Sequence, residues 1–322
     1  MDSRAQFLPV LIGCVLSIIL PLPAFADAER VDETKDVSAT GNVAVNVVRG
    51  KVRLVGWDKP AVQVTGTLDT KAKAFIFDVN GDETIIEVKI DDGINGWFGS
   101  DEGSSLTVYL PSASRMEFDG VSTEVDVRGL DKSIEVNVVS GDITMVGGSS
   151  SVTVQSISGD LILNDSTGRV KVVTVSGDIE SNSVTGVAHY TTVSGDIVAK
   201  DGGEEVLIET VSGDIEVVSG SVTTLGGHAI SGDIAVRTRL LDSGSIEFAS
   251  ISGNIALRLE GDINARFSLE TGSGSITNKL STDQPAISRY MGDENLQFTV
   301  GDGRGQVSLS TRSGDLLLEA QP

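Results

Sequence analysis

The word Val-Ser-Gly-Asp-Ile is spelled identically four times in this chain, beginning at Val139, Val175, Val193 and Val211, with near-copies at Ile157 and Ile230. The central glycines of the wider series are Gly141, Gly159, Gly177, Gly195, Gly213, Gly232, Gly253, Gly274 and Gly314. Their spacings are 18, 18, 18, 18, 19, 21, 21 and 40 residues, the last reading as two turns of 20. One interval before Gly141 stands a worn copy, Val121-Ser122-Thr123-Glu124-Val125. Self-similarity at this period marks a solenoid, in which each unit stacks on the next.

Apolar residues fall into columns. Before the serine come Val121, Val139, Ile157, Val175, Val193, Val211, Ile230 and Ile251. After the acid come Val125, Ile143, Leu161, Ile179, Ile197, Ile215, Ile234 and Ile255. Two positions on stand Val127, Met145, Leu163, Ser181, Ala199, Val217, Val236 and Leu257. A second alternating pair runs Ile134/Val136, Val152/Val154, Val170/Val172, Ala188/Tyr190 and Val206/Ile208. All these positions are predicted to face inward from two short strands per coil. Helix periodicity is nowhere sustained.

The Ser-Gly-Asp word is predicted to form the corner between the strands. Gly141, Gly159, Gly177, Gly195, Gly213, Gly232 and Gly253 would supply positive φ, while the flanking hydroxyl and carboxylate accept nearby N–H groups. One coil buries too little to offset its own ordering, so neighbours must share hydrogen-bond ladders and a core. Crossovers within one sheet are overwhelmingly right-handed. The expected fold is all-β: a right-handed parallel β-solenoid with coils of 18–21 residues and an N-terminal antiparallel β cap.

Residues 1–26 read as a signal peptide: Arg4, an apolar run from Phe7 to Leu20, and the cleavage signal Ala24-Phe25-Ala26. Leu11-Ile12-Gly13-Cys14 also resembles a lipoprotein box, but its apolar lead is short and the text after Cys14 stays apolar. The mature chain would begin at Asp27 without cysteine, so disulfides, thiol catalysis and Cys-bound metal are excluded. The expected location is the periplasm, cell envelope or exterior. Residues 27–40 read as a flexible leader and 41–118 as the antiparallel cap and lead-in. Residues 119–322 read as the solenoid, with a C-terminal capping loop at 276–310.

The net charge of −22, from 24 basic and 46 acidic residues, argues against nucleic acid and anionic membrane surfaces as partners. Glu124, Asp142, Asp160, Asp178, Asp196, Asp214 and Asp233 form an acidic column. Calcium takes six to eight oxygens, one carboxylate per coil is thin provision, and the column lapses to Asn254 and Ser275. No metal and no cofactor is expected. His189 and His228 lie in different coils at non-equivalent columns and read as surface residues. Asp91-Asp92 and Glu204-Glu205 read as loop residues. Trp97 and Phe98 stand between glycines in a polar loop, in a chain with 4% aromatics. They are either a contact site or a lid on the open end of the solenoid. With Tyr290 and Met291 at the other end, they are the candidate partner contacts.

The text from VVRGKVRLVGWDKPAVQVTG through LTVYLPSAS to the VSGDI ladder resembles a bacterial family of β-strand-repeat proteins of unknown function that carries the label "putative adhesin". The resemblance covers roughly residues 40–319 and implies an exported or envelope-associated β-solenoid, with no catalytic residues to carry over. The function expected is that of an exported, non-catalytic envelope protein. Its rigid solenoid would serve binding, adhesion or scaffolding toward an envelope or surface protein or glycan, as a monomer. The alternatives are a polysaccharide lyase or hydrolase on a parallel β-helix and a self-assembling solenoid filament.

Overall fold

The computed structural model describes residues 29–90, 103–200, 204–287 and 292–321. Trp97, Phe98, Tyr290 and Met291 lie outside the described residues, as do Asp91-Asp92 and the predicted signal peptide. Among the described residues there is no helix, and 27 strands join in one continuous, largely parallel sheet. The fold is a β-solenoid.

A typical coil has a long leg, Ile134–Ser140, and a short leg, Ile143–Val146. The next coil lies parallel upon it in a register of one repeat, with Val152 over Ile134 and Leu161 over Ile143. Alternation puts Ile134, Val136 and Val138 inside on the long leg, and Ile143 and Met145 inside on the short one. One predicted column is wrong. Val139, Ile157, Val175, Val193, Val211, Ile230 and Ile251 do not face the core but are 42–53% exposed. Their inward neighbours are Val138, Ser156, Thr174, Thr192, Thr210, Ala229 and Ser250, mostly too polar to be read as core. Period-2 geometry leaves no choice: if residue 138 points in, residue 139 points out.

At the corner the coils come into near-contact. Gly177 has φ +155°, and a Cβ built there would lie 2.1 Å from the carbonyl oxygen of Gly159. Gly159 stands on Gly141 in the same way, at 2.3 Å. No L-residue fits without pushing the coils apart, so sterics between coils, beyond the backbone angle alone, account for the repeated glycine.

The two ends are interleaved, which the spacing did not foretell. The first seven strands are β1 (Arg30–Asp36), β2 (Asn42–Trp57), β3 (Ala61–Thr67), β4 (Ala72–Asn80), β5 (Glu83–Ile90), β6 (Ser104–Pro111) and β7 (Arg115–Arg128). The long strand β2 makes a whole coil, bent at Gly50, and runs parallel to β7 on one side and to β5 and β6 on the other. The earliest coil in sequence is therefore second in space. Antiparallel strands finish this end: β4 on β5, β3 on β6, and β1 on β3. Of the hairpins expected over this region, β4–β5 forms, whereas β2, β5 and β6 belong to the parallel stack. Part of the expected flexible leader is β1, whose charged sequence RVDETKD guards an open edge.

The C-terminal end repeats the device. Gly305–Ser313 lies between Leu240–Ser252 and Ala265–Ser273. Leu316–Gln321 lies between Ile255–Glu260 and Ile276–Asn278. The interval of 40 is thus not two turns in succession: Gly314 sits between Gly253 and Gly274. Within the expected capping loop, Glu294–Val300 forms an antiparallel strand against Ala265–Ser273, with Phe298 stacked on Phe267.

The core compensates for volume along the rod. Tyr190 heads the fully buried side chains by size, and the facing column shrinks there to Ser181 and Ala199. The Tyr190 hydroxyl and Ser181 Oγ are 2.6 Å apart and satisfy one another inside. Burial pushes the Tyr190 pKa up to about 12, with the Ser181 bond opposing it. Tyr190→Phe is expected to cost about 1–3 kcal/mol, because the buried Ser181 hydroxyl loses its partner. Adding Ser181→Ala should recover most of that loss in thermal and urea unfolding. Equal stability of the single and double variants would show that the pair does not form.

Candidate functional site

Two parallel ladders run along the outside of the Ser-Gly-Asp corner. The first is acidic. Asp142 Oδ1 accepts the backbone N–H of Asp160 at 3.0 Å, and the pattern repeats from Asp160 to Asp178 and from Asp178 to Asp196. It continues from Asp196 to Asp214, Asp214 to Asp233 and Asp233 to Asn254 at 2.8 Å each. Asn254 Oδ1 then accepts from Asp315, and Asp315 Oδ1 from Ser275. The backbone N–H and hydroxyl of Ser275 together hold the Asp315 carboxyl below the usual carboxylate range. Each carboxylate replaces the carbonyl acceptor that the turn of the chain removes. The bond reaches across to the following coil, whereas the sequence suggested a local turn bond. Glu124, at the start of the column, instead pairs with Lys51 at 2.6 Å.

The second ladder is the outward aliphatic column. Register through the corner serines aligns Val139 with Ile157 and, coil by coil, with Val211, Ile230 and Ile251. Half-exposed Val121 and Val48 prolong it toward the N-terminal end, since Arg49 stands beside Ser122 and Ser122 beside Ser140. In space it ends at Arg312 and Gly272, which precede Ser313 and Ser273. Beside it opens a groove of about 440 Å³, walled by Val193, Val211, Ile230 and Ile251 on one side and by Thr191, Glu209 and His228 on the other. A second groove, of about 460 Å³, flanks Val48 and Val121. Solvent-facing aliphatics stacked at one constant step form a continuous apolar patch of the kind that marks interaction surfaces.

Other chemistry is dispersed. His189 Nε2 is 3.1 Å from Glu209 Oε2, but His189 aligns with Leu207 and His228 with Glu209, in different columns. Trp57 stacks on Tyr109 at 5.3 Å, and Lys59 covers its ring at 4.6 Å, so this aromatic pair already has an occupant. Asp69 is buried, where desolvation would raise its pKa. Bonds from Arg49 (Nη2–Oδ1 2.8 Å) and the Lys71 amide outweigh that and lower it. This pair fastens the β3–β4 connection to β2. Among the described residues no group of three or more His, Cys, Asp or Glu is placed to hold a metal. Nor do the described residues contain a helix long and apolar enough to cross a membrane. Sequence reading missed the outward ladder by assigning it to the core. The signal was available in the parity of Val136, Val138 and Val139.

The acidic ladder is testable by an asymmetry between two substitutions. Asp178→Ala is expected to lower stability by about 1 kcal/mol through loss of a backbone acceptor. Asp178→Asn should leave the melting temperature level or raised. It keeps the acceptor, as Asn254 does naturally, and relieves repulsion of roughly 0.9 kcal/mol per neighbouring carboxylate at the strand spacing in water. Equal losses for Ala and Asn would show that charge, not the bond, matters.

Three solved structures align along most of the chain at low identity and low TM-score. A "putative lipid binding protein" from Parabacteroides distasonis has 14% identity and a TM-score of 0.39, over 92% of this chain and 98% of that one. A "putative adhesin" from Bacteroides fragilis has 14% identity and a TM-score of 0.38, over 92% and 99%. A "putative cell adhesion protein" from Clostridium sporogenes has 11% identity and a TM-score of 0.19, over 91% and 100%. No curated protein matches the chain. The Toastrack DUF4097 family profile matches residues 41–319, nearly the whole solenoid, and the chain belongs to that family.

Proposed function

We propose that this chain is an exported, non-catalytic binding protein of the cell envelope, whose solenoid presents its partner site along the flank. The observation that carries this reading is the unpartnered ladder from Val139 to Ile251, seven successive coils of exposed β-branched residues. Water-facing aliphatics weaken solubility unless something covers them, and fold-level packing does not require them at that place. The rod is suited to the task. Interleaved coils hold both ends, so the stripe is pre-organised, which lowers the entropic cost of association. The N-terminal run ending Ala24-Phe25-Ala26 supports export. End-to-end assembly fits less well, because an edge strand with the sequence RVDETKD discourages further strand addition.

Photo-crosslinking residues placed at Val175, Val211, Glu180, Trp97 and Tyr290 in the native cell test the placement. Adducts are expected from Val175 and Val211 and not from Glu180 on the other leg. Adducts confined to Trp97 or Tyr290 would move the site to the ends, and none anywhere would remove the binding reading. The mature N-terminus is expected at Asp27 by mass spectrometry; an intact Met1 in the cell-associated protein would contradict export.

A further inference from the structure

We infer that the aliphatic stripe and the acidic ladder together dock an amphipathic basic α-helix of a partner protein, laid along the long axis of the solenoid. This rests on the binding reading above and names the chemistry of the partner. Three observations select that occupant.

The first is size. Val139 to Ile251 spans six coil steps, about 29 Å at the strand spacing of about 4.8 Å. A helix rising 1.5 Å per residue covers that in roughly 19 residues. Its turn of about 5.4 Å brings close to one side chain of its stripe to each coil. An extended strand lying the same way repeats a face only every ~6.8 Å and falls out of step sooner.

The second is charge. Asp142, Asp160, Asp178, Asp196, Asp214 and Asp233 are exposed and stand three residues along the chain from the stripe. Three residues reach about 10 Å at most, within the 10–12 Å diameter of a helix with its side chains. A helix seated on the stripe therefore overhangs the acidic ladder, and Lys or Arg on that flank can reach it. The opposite flank carries Asn137, Gln155, Val173, Thr191, His228 and Ala249, with Glu209 its one acid over these coils. Six acids on one side against one on the other would orient the helix about its axis.

The third excludes the simplest rival, a second copy of this chain. Stripe-to-stripe pairing would bring together two chains that each carry a net charge of −22, each with its own acidic ladder beside the contact. Opposite charge recruits and orients a partner, whereas like charge repels it. The binding mode is that of an apolar helix face on an apolar track with flanking ion pairs.

The test uses a fluorescent 19-residue amphipathic peptide with a leucine stripe and lysines on one flank, titrated against the mature chain. Saturable binding is expected, with a gain in peptide helicity by circular dichroism. Val175→Thr, Val193→Thr and Val211→Thr combined should weaken it at least tenfold while charge is unchanged. Asp178→Asn, Asp196→Asn and Asp214→Asn combined should weaken it similarly at low salt and flatten its salt dependence. Asparagine retains the corner bonds, as at Asn254, so melting temperatures should show both variants folded. Absence of saturable binding overturns the inference, as does equal binding by the threonine variant or by a peptide with glutamates in place of lysines. A dimer that the threonine variant dissolves and the peptide does not compete with would assign the stripe to a second copy. Cellular crosslinks from Val175 to a partner without a basic helix would sink this inference alone and leave the broader binding reading standing.

Discussion

At the corner of each coil from Gly159 onward, the α-carbon of one glycine lies so close to the carbonyl of the glycine beneath that a Cβ would fall about 2 Å from its oxygen. That contact sets the rest of the structure. It lets the coils stack at strand spacing through a sharp turn, where any larger residue would prise the legs apart. Because the turn swings the backbone away from ladder geometry, the next amide needs another acceptor, and the aspartate of the coil below supplies it. The Gly and Asp of the word are thus answers to two halves of one problem: space for the turn, and a partner for the amide it strands. The neighbouring serine stays within the parallel register, and its carbonyl accepts the glycine amide of the preceding coil, Ser158 from Gly141 and Ser176 from Gly159.

Much of this was legible because steric necessity leaves literal repetition in the sequence. The words at Gly141 through Gly253 gave the coil length and the stacking, and the columns at Ile143 and Val136 gave the core. What was misread follows from weaker constraints. The column at Val139 is apolar, yet it faces out, and hydropathy alone cannot assign a side. Only the parity of the strand can, and the inward residues Thr174, Thr192 and Thr210 concealed it. The order of coils at the ends was not legible either. Period reports how long a coil is, and pairing partners are chosen by the whole stack, so Gly314 could settle between Gly253 and Gly274 without any change in local text. The charged segment from Arg30 to Asp36 looked like a solvated leader because edge strands and leaders have similar compositions. The polar carboxylates of the candidate site were visible as a column; their pairing across coils was not.

Interleaving at both ends gives each sequence-terminal coil two neighbours in place of one. A solenoid whose outermost coil were also the chain terminus could fray one unit at a time, as stacked repeats do. Here β2 and the coil from Gly305 to Gln321 are each held between two others, and antiparallel strands finish the stack. The rod that results presents long flanks on which one chemistry recurs from coil to coil. On such a body a one-residue column repeated over seven coils becomes a surface feature, and the aliphatic and acidic ladders differ from scattered surface residues for that reason alone.

Amide hydrogen exchange resolved to single residues tests the corner most directly. If each aspartate carboxylate holds the amide of the following coil, the exposed amides of Asp178, Asp196 and Asp214 should exchange as slowly as those of Ile179, Ile197 and Ile215. The latter donate to backbone carbonyls within the regular ladder. Exchange of the aspartate amides at the rate of open loops, beside protected isoleucines, would contradict the account.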